Sequence, residues 1–223
     1  MMPFVRTLAL LATLAACSGR ATPSPPVPVA RPSVTEPAGG ALRSVADIAT
    51  ITDVNLRSQT YFLEISRVLL HPRCANCHPA DDVPRQGDGG MLHDPPVVRG
   101  PADRGVVGMQ CASCHQDANQ ALARVPGAPD WHAAPLAMAW FGKSPAAVCA
   151  QLVTAARGAP AASKASFPSV REHLAHDKLV AWGFAPGADR RPAPGTPTDV
   201  AILFDAWVAS GAQCPPSDAE VPR

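Results

Sequence analysis

Charge of one sign is missing from this chain: 19 basic side chains stand against 18 acidic ones in 223 residues. A nucleic-acid binder needs a basic face, and this balance argues against one. Long apolar runs are missing too. None reaches the 18 or so residues that span a bilayer, so no transmembrane helix is expected in the mature protein. No segment alternates apolar and polar residues convincingly, which removes the usual signal for strands. Aromatic side chains are scarce at 5%, with one Tyr and four Trp. Yet 47% of the residues are hydrophobic, enough to bury a core and to exclude a wholly disordered chain. A core so short of aromatic rings would gain from a large apolar group of another kind.

What the chain does hold is 26 Pro, 16 Gly and 7 Cys, unevenly placed. Residues 1–16 join a start charged at Arg6 to an apolar run from Thr7 to Ala16, the pattern of a signal peptide. Leu14-Ala15-Ala16-Cys17 looks like a bacterial lipobox, which would make Cys17 the lipidated first residue of the mature chain. An ordinary signal peptide cut nearby is the alternative, and both predict export. Several acyl chains on Cys17 would anchor the protein firmly to a membrane, on the periplasmic side. Residues 17–43 then read as the lipidated Cys and a disordered tether: six Pro lie between residues 21 and 40, closed by Gly39-Gly40. Such a stretch is expected to pack against nothing. The folded domain is expected over 44–223.

In that domain, period-3.6 patterning predicts helices in four places. One covers Gln59 to Leu70 and ends before Pro72; another opens at Ser144-Pro145 and carries Val148, Cys149, Leu152 and Val153. A third is expected behind a capping box of Ser169 and Glu172 and bears Leu174, Leu179 and Val180. The last opens at Thr196-Pro197, carries Val200, Leu203, Phe204, Trp207 and Val208, and stops at Gly211. Between the helices lie long Gly/Pro segments. Asp82 to Gln110, 29 residues with six Gly and four Pro, reads as a structureless loop, acceptable only if it wraps a prosthetic group. The expected fold class is all-α and loop-rich.

Two pentapeptides carry the chemistry: Cys74-Ala75-Asn76-Cys77-His78 and Cys111-Ala112-Ser113-Cys114-His115. C-x-x-C-H is the attachment motif of c-type haem. One turn of helix brings both thiols within reach of the two haem vinyl groups, and the following His supplies a neutral imidazole to the iron. The cofactors expected are therefore two covalently bound haem c, with His78 and His115 as proximal ligands. A zinc ribbon built on four thiolates is the competing reading. Its Cys pairs usually stand about 15 to 20 residues apart, whereas 33 residues separate Cys77 from Cys111. Zinc also leaves the two His unexplained. A thioredoxin-like redox pair lacks its strand pattern. With Cys17 and the four motif Cys set aside, Cys149 and Cys214 remain. In an oxidising compartment they are expected to form a disulfide, two free thiols being the alternative.

The distal iron ligands stay open. His71 and Met109 stand too close to the motifs to reach over the opposite haem face. His93, set in the Gly/Pro loop, and Met138, set in the apolar stretch Pro135 to Trp140, lead. His132, His173 and His176 stand in reserve, with His173 expected on the apolar side of its helix.

From His71 onward the chain resembles a family of exported dihaem proteins labelled "isoquinoline 1-oxidoreductase subunit". The resemblance lies in His71-Pro72-Arg73-Cys74, Asn76-Cys77-His78-Pro79, Arg99-Gly100, Cys111 to Gln116 and Val125-Pro126-Gly127-Ala128-Pro129 with Trp131. It continues in Met138-Ala139-Trp140, Leu179-Val180-Ala181-Trp182-Gly183 and Pro192-Ala193-Pro194-Gly195-Thr196, with Phe184 where the family would have a second Trp. The label implies association with a molybdenum-containing hydroxylase that needs an electron acceptor; no molybdopterin or iron–sulfur motif stands in this chain. The expected role is electron transfer, from a dehydrogenase or hydroxylase donor to the respiratory chain. A peroxidase-like dihaem enzyme with one open iron position is the alternative. The two motifs start only 37 residues apart, too close for separate domains, which suits a relay.

Overall fold

In the computed structural model the described residues are 40–222, apart from 158, 161–162, 164 and 188–189. The expected signal peptide, the lipidated Cys17 and the tether up to residue 39 lie outside them. Helices dominate. In chain order they are α1 (Val45–Ala49), α2 (Val54–Leu69), α3 (Pro72–Ala75), α4 (Cys111–Cys114), α5 (Pro145–Arg157), α6 (Phe167–His176), α7 (Lys178–Phe184) and α8 (Pro197–Ala209). None of them is long and apolar enough to cross a membrane.

The core lies where α2, α5, α6 and α8 meet. Trp207, 0% exposed, stands at its centre, 4.8 Å from the ring of Phe62 and 5.3 Å from that of Phe204. Its indole Nε1 donates to the Gln213 carbonyl at 3.1 Å, so the burial leaves no orphan donor. Helix α8 begins where its sequence predicts: the Thr196 hydroxyl accepts from Asp199 N and Pro197 fills the first turn. Ser144 opens α5 in the same manner, accepting from Ala147 N. Cys149 and Cys214 are joined, with Cα atoms 5.5 Å apart, which staples α5 to the chain after α8.

Three expectations need correction. Helix α2 starts five residues before Gln59, because the Asp53 carboxylate accepts from Leu56 N at 2.9 Å and caps a first turn that no buried residue marks. Helix α6 is capped by Ser166, not by Ser169. Pro168 has no N–H and is tolerated only in a first turn, so it fixes the start there. Leu179 and Val180 belong to a separate helix, since Asp177 ends α6 and caps α7, accepting from Leu179 N at 2.7 Å. The tether also ends sooner than expected. Leu42 packs on the core, the Ala41 carbonyl accepts from Arg67, and Arg43 N donates to Glu64.

Nor is the segment from Asp82 to Gln110 structureless. It holds two short antiparallel ladders, β1 (Arg85–Gln86) with β2 (Met91–Leu92), and β3 (Gly105–Val106) with β4 (Met109–Gln110). Two-residue strands are too short to show alternation. A buried guanidinium holds the segment together. Arg99 donates from Nη1 to the Asp103 carboxylate at 2.8 Å and to the Ala134 carbonyl, and from Nη2 to the Asp81 carbonyl at 3.2 Å. Replacing Arg99 by Ala leaves those acceptors without their donor and should cost about 3 kcal/mol. Lys cannot reproduce the planar fork. Denaturant unfolding should read the loss, with faster amide exchange over residues 81–110 in both variants.

Candidate functional site

The two C-x-x-C-H pentapeptides stand on the two short helices α3 and α4, and their four sulfurs are unbonded. At the first, His71 caps α3 and Pro72 opens it. The turn it starts carries Cys74 and Cys77, with His78 N donating to the Cys74 carbonyl. Burial pushes the Cys74 thiol up to about 12 and the Cys77 thiol up to about 11, so both stay protonated. A structural zinc site would gather its four ligands in one cluster. Among the described residues no three His, Cys, Asp or Glu side chains gather as metal ligands.

His78 is held on two sides. Its Nδ1 lies 2.6 Å from the Met138 carbonyl, and Trp140 stacks on its ring with centroids 3.5 Å apart and planes within 4°. Burial pulls its pKa down to about 3, which keeps the ring neutral. Beside it opens an apolar cleft walled by Leu69 of α2, Leu174 of α6, Leu179 and Val180 of α7, and Trp182, with His132 at its edge. Two buried donors in this region, Arg73 Nε and Trp140 Nε1, have no partner among the described residues.

The second site repeats the arrangement on loops. His115 Nδ1 lies 2.8 Å from the Pro126 carbonyl, and Trp131 stacks on the ring at 4.4 Å with the planes within 4°. Burial lowers the pKa of His115 as well. Gly127 is required here by space. A Cβ at that position would lie 2.3 Å from the Ala118 carbonyl oxygen and 2.4 Å from that of Gln116. Asn119 Oδ1 accepts from both Gly127 N and Trp182 Nε1 at 3.0 Å. The contrast with the first site lies at Cys114, which is exposed, whereas Cys74, Cys77 and Cys111 are all half-buried.

The sites are neighbours. The rings of Trp131 and Trp182 meet edge to face at 4.9 Å, joining the aromatic wall of one site to that of the other. A single strap, residues 126–141, serves both. It supplies the carbonyl and the Trp behind each imidazole, and Ala134 N donates to the Cys77 carbonyl at 2.7 Å.

The residues ranked as distal ligands separate in the structure. His93 follows β2, whose hairpin hangs on Asn76 inside the first motif through Arg85 N, and it faces the second motif: its ring centroid is 5.9 Å from that of His115. Met138 meets His78 through its carbonyl, while its side chain packs on the core. His132 reaches the first cleft. His173 is exposed, not on an apolar face, and pairs with Asp177 at 3.2 Å; His176 is exposed beside Glu172. Sequence reasoning missed the strap and its two Trp. The signal was present, since three of the four Trp in an aromatic-poor chain stand at these sites.

His71 gives a pH test of the first turn. Its Nδ1 accepts from Arg73 N at 3.2 Å, which requires the neutral ring. Burial, helped by Arg73 and Arg191, lowers its pKa from 6.5 to about 4. The unfolded chain takes the proton first, so this contribution is whole above pH 6.5 and is lost as pH falls toward 4. His71→Asn keeps a cap without a titrating ring. Wild type should lose stability against that variant over this interval, measured by urea midpoints. Parallel curves would contradict the assignment.

No protein-family model, characterised protein or solved structure matches the chain, so the reading of these sites rests on their own residues.

Proposed function

We propose that this chain is an exported, lipid-anchored dihaem c-type cytochrome that passes electrons from an oxidoreductase, of the molybdenum hydroxylase class, to the respiratory chain. One observation carries the reading. Twice, a C-x-x-C turn with unbonded sulfurs delivers an imidazole whose Nδ1 is held on a backbone carbonyl and whose face is held by a Trp. Holding Nδ1 fixes the proton there and leaves Nε2 free as a ligand. The donor set fits haem, which would ask of each motif two thiols for attachment and one neutral imidazole, the groups that Cys74, Cys77 and His78, and Cys111, Cys114 and His115, present. The apolar cleft beside His78 suits a flat hydrophobic ring. The unpartnered Arg73 Nε and Trp140 Nε1 offer donors to carboxylates of the kind haem carries.

Haem supplies a reversible one-electron couple. The rest is the work of this chain. The four Cys tether the group, His78 and His115 bind and orient it, and the strap 126–141 fixes both imidazoles at once. The contact of Trp131 with Trp182 keeps the sites adjacent, which favours transfer between them over chemistry at either. The experiment is reductive titration of the full exported chain, followed by reoxidation with an artificial acceptor and a peroxide turnover assay. Two electrons taken up and released per chain, with no peroxide turnover, is the expected result. Rapid peroxide turnover would overturn it in favour of an enzyme.

A further inference from the structure

The histidines sort by which ring nitrogen is engaged. His78, His115, His93 and His132 each place Nδ1 on a backbone carbonyl, those of Met138, Pro126, Pro95 and Asp130 respectively. In all four the proton sits on Nδ1 and the lone pair of Nε2 is free, the form in which imidazole binds a metal. The remaining three differ. His71 uses the Nδ1 lone pair to accept from Arg73 N, and His176 turns Nε2 toward Glu172; His173 holds Nδ1 on the Asp177 carboxylate, which also leaves Nε2 free, but it is exposed and is not among the residues that line the cleft beside His78. Two of the four metal-ready rings belong to the C-x-x-C-H motifs. The other two stand one at each site.

A distance at one site and a shared cleft at the other make the pairing specific. Two imidazoles bound to opposite sides of one ion, each by a bond of about 2 Å, hold their ring centroids about 6 Å apart. His93 and His115 stand at 5.9 Å, edge to face at 71°, although the chain links them only through loops and the hairpin hung on Asn76. His132 lines the cleft that His78, Cys74 and Cys77 also line. It sits in the strap between Trp131, which stacks on His115, and Ala134, which bonds to Cys77. Met138 is already used on the other side of His78: its carbonyl holds Nδ1, the nitrogen pointing away from any metal on Nε2.

We infer that both irons are bound by two histidines, His115 with His93 and His78 with His132, and that Met138 acts through its carbonyl and not its sulfur. This rests on the dihaem reading above, and deepens it: both irons are closed to small ligands.

The test uses the full-length exported chain, with covalent haem counted in every sample and carbon monoxide as the probe of the reduced protein. Wild type and Met138→Leu are expected to bind none. His93→Ala and His132→Ala are each expected to keep two haems and bind one equivalent, and the double variant two. Added imidazole should restore the low-spin spectrum, which separates a lost ligand from a misfolded domain. Which iron opens is read in chains carrying Cys111→Ala with Cys114→Ala, where His132→Ala should open the remaining haem and His93→Ala should not. A His93→Ala or His132→Ala chain that stays closed with both haems attached overturns the pairing and leaves the dihaem reading standing. So does carbon monoxide binding by Met138→Leu. A wild-type chain without covalent haem overturns both.

Discussion

Replacing Cys149 and Cys214 together by Ala is expected to lower the stability of the domain by about 4 kcal/mol. The bond closes a separation of 65 residues, and constraining a loop of that length removes much conformational freedom from the unfolded chain. The native fold has little to lose by it beyond the bond. Gln213 still donates from its backbone to Ser58 Oγ at 3.0 Å and still accepts from Trp207 Nε1, so the segment after α8 stays on the core. The cost should therefore appear as a lower unfolding temperature, by about 10 °C for a domain of this size, with native spectra unchanged. Wild type unfolded under reducing conditions should match the variant. A shift of only a degree or two would mean that packing around α5 alone fixes the fold.

The second large effect is an asymmetry between the two motifs. Cys74→Ala with Cys77→Ala and Cys111→Ala with Cys114→Ala should each remove one covalent haem. Only the first pair should also destabilise the helical core. Its cleft is walled by Leu69 of α2, Leu174 of α6, and Leu179 and Val180 of α7, the elements that build the core itself. Leaving these apolar walls without a filling group should cost on the order of 3–5 kcal/mol, as large cavities do. The second motif stands on the four-residue helix α4 among loops, away from the core helices, with Cys114 exposed, and its loss should cost the core under about 1 kcal/mol. Haem content and thermal unfolding of the two double variants check this. Equal destabilisation would show that the sites share one cooperative unit.

The sequence told most where local chemistry decided the outcome. Thr196-Pro197 and Ser144-Pro145 mark helix starts because a side-chain acceptor and a fixed φ act on the next few residues alone. The two pentapeptides are legible for the same reason. What stayed hidden depends on partners far along the chain. Arg99 is one residue of the Gly/Pro segment from Asp82 to Gln110, and nothing local announces that its acceptors lie at Asp81, Asp103 and Ala134. The early start of α2 at Asp53 was lost because its first turn faces solvent and carries no apolar stripe. Met138 stood out as a soft ligand, and nothing local says that its carbonyl would be the atom presented to His78. His132 ranked low because a lone His beside a Trp carries no sign of which cleft it enters.

The central claim is that both pentapeptides carry covalent haem, and the most direct measurement is the intact mass of the exported chain under denaturing conditions. The account predicts the mature polypeptide plus the mass of two haems. It further predicts one haem when Cys74 and Cys77, or Cys111 and Cys114, are replaced by Ala, and none when all four are replaced. A wild-type polypeptide mass with no haem attached, or with zinc bound to the native chain in its place, would contradict it.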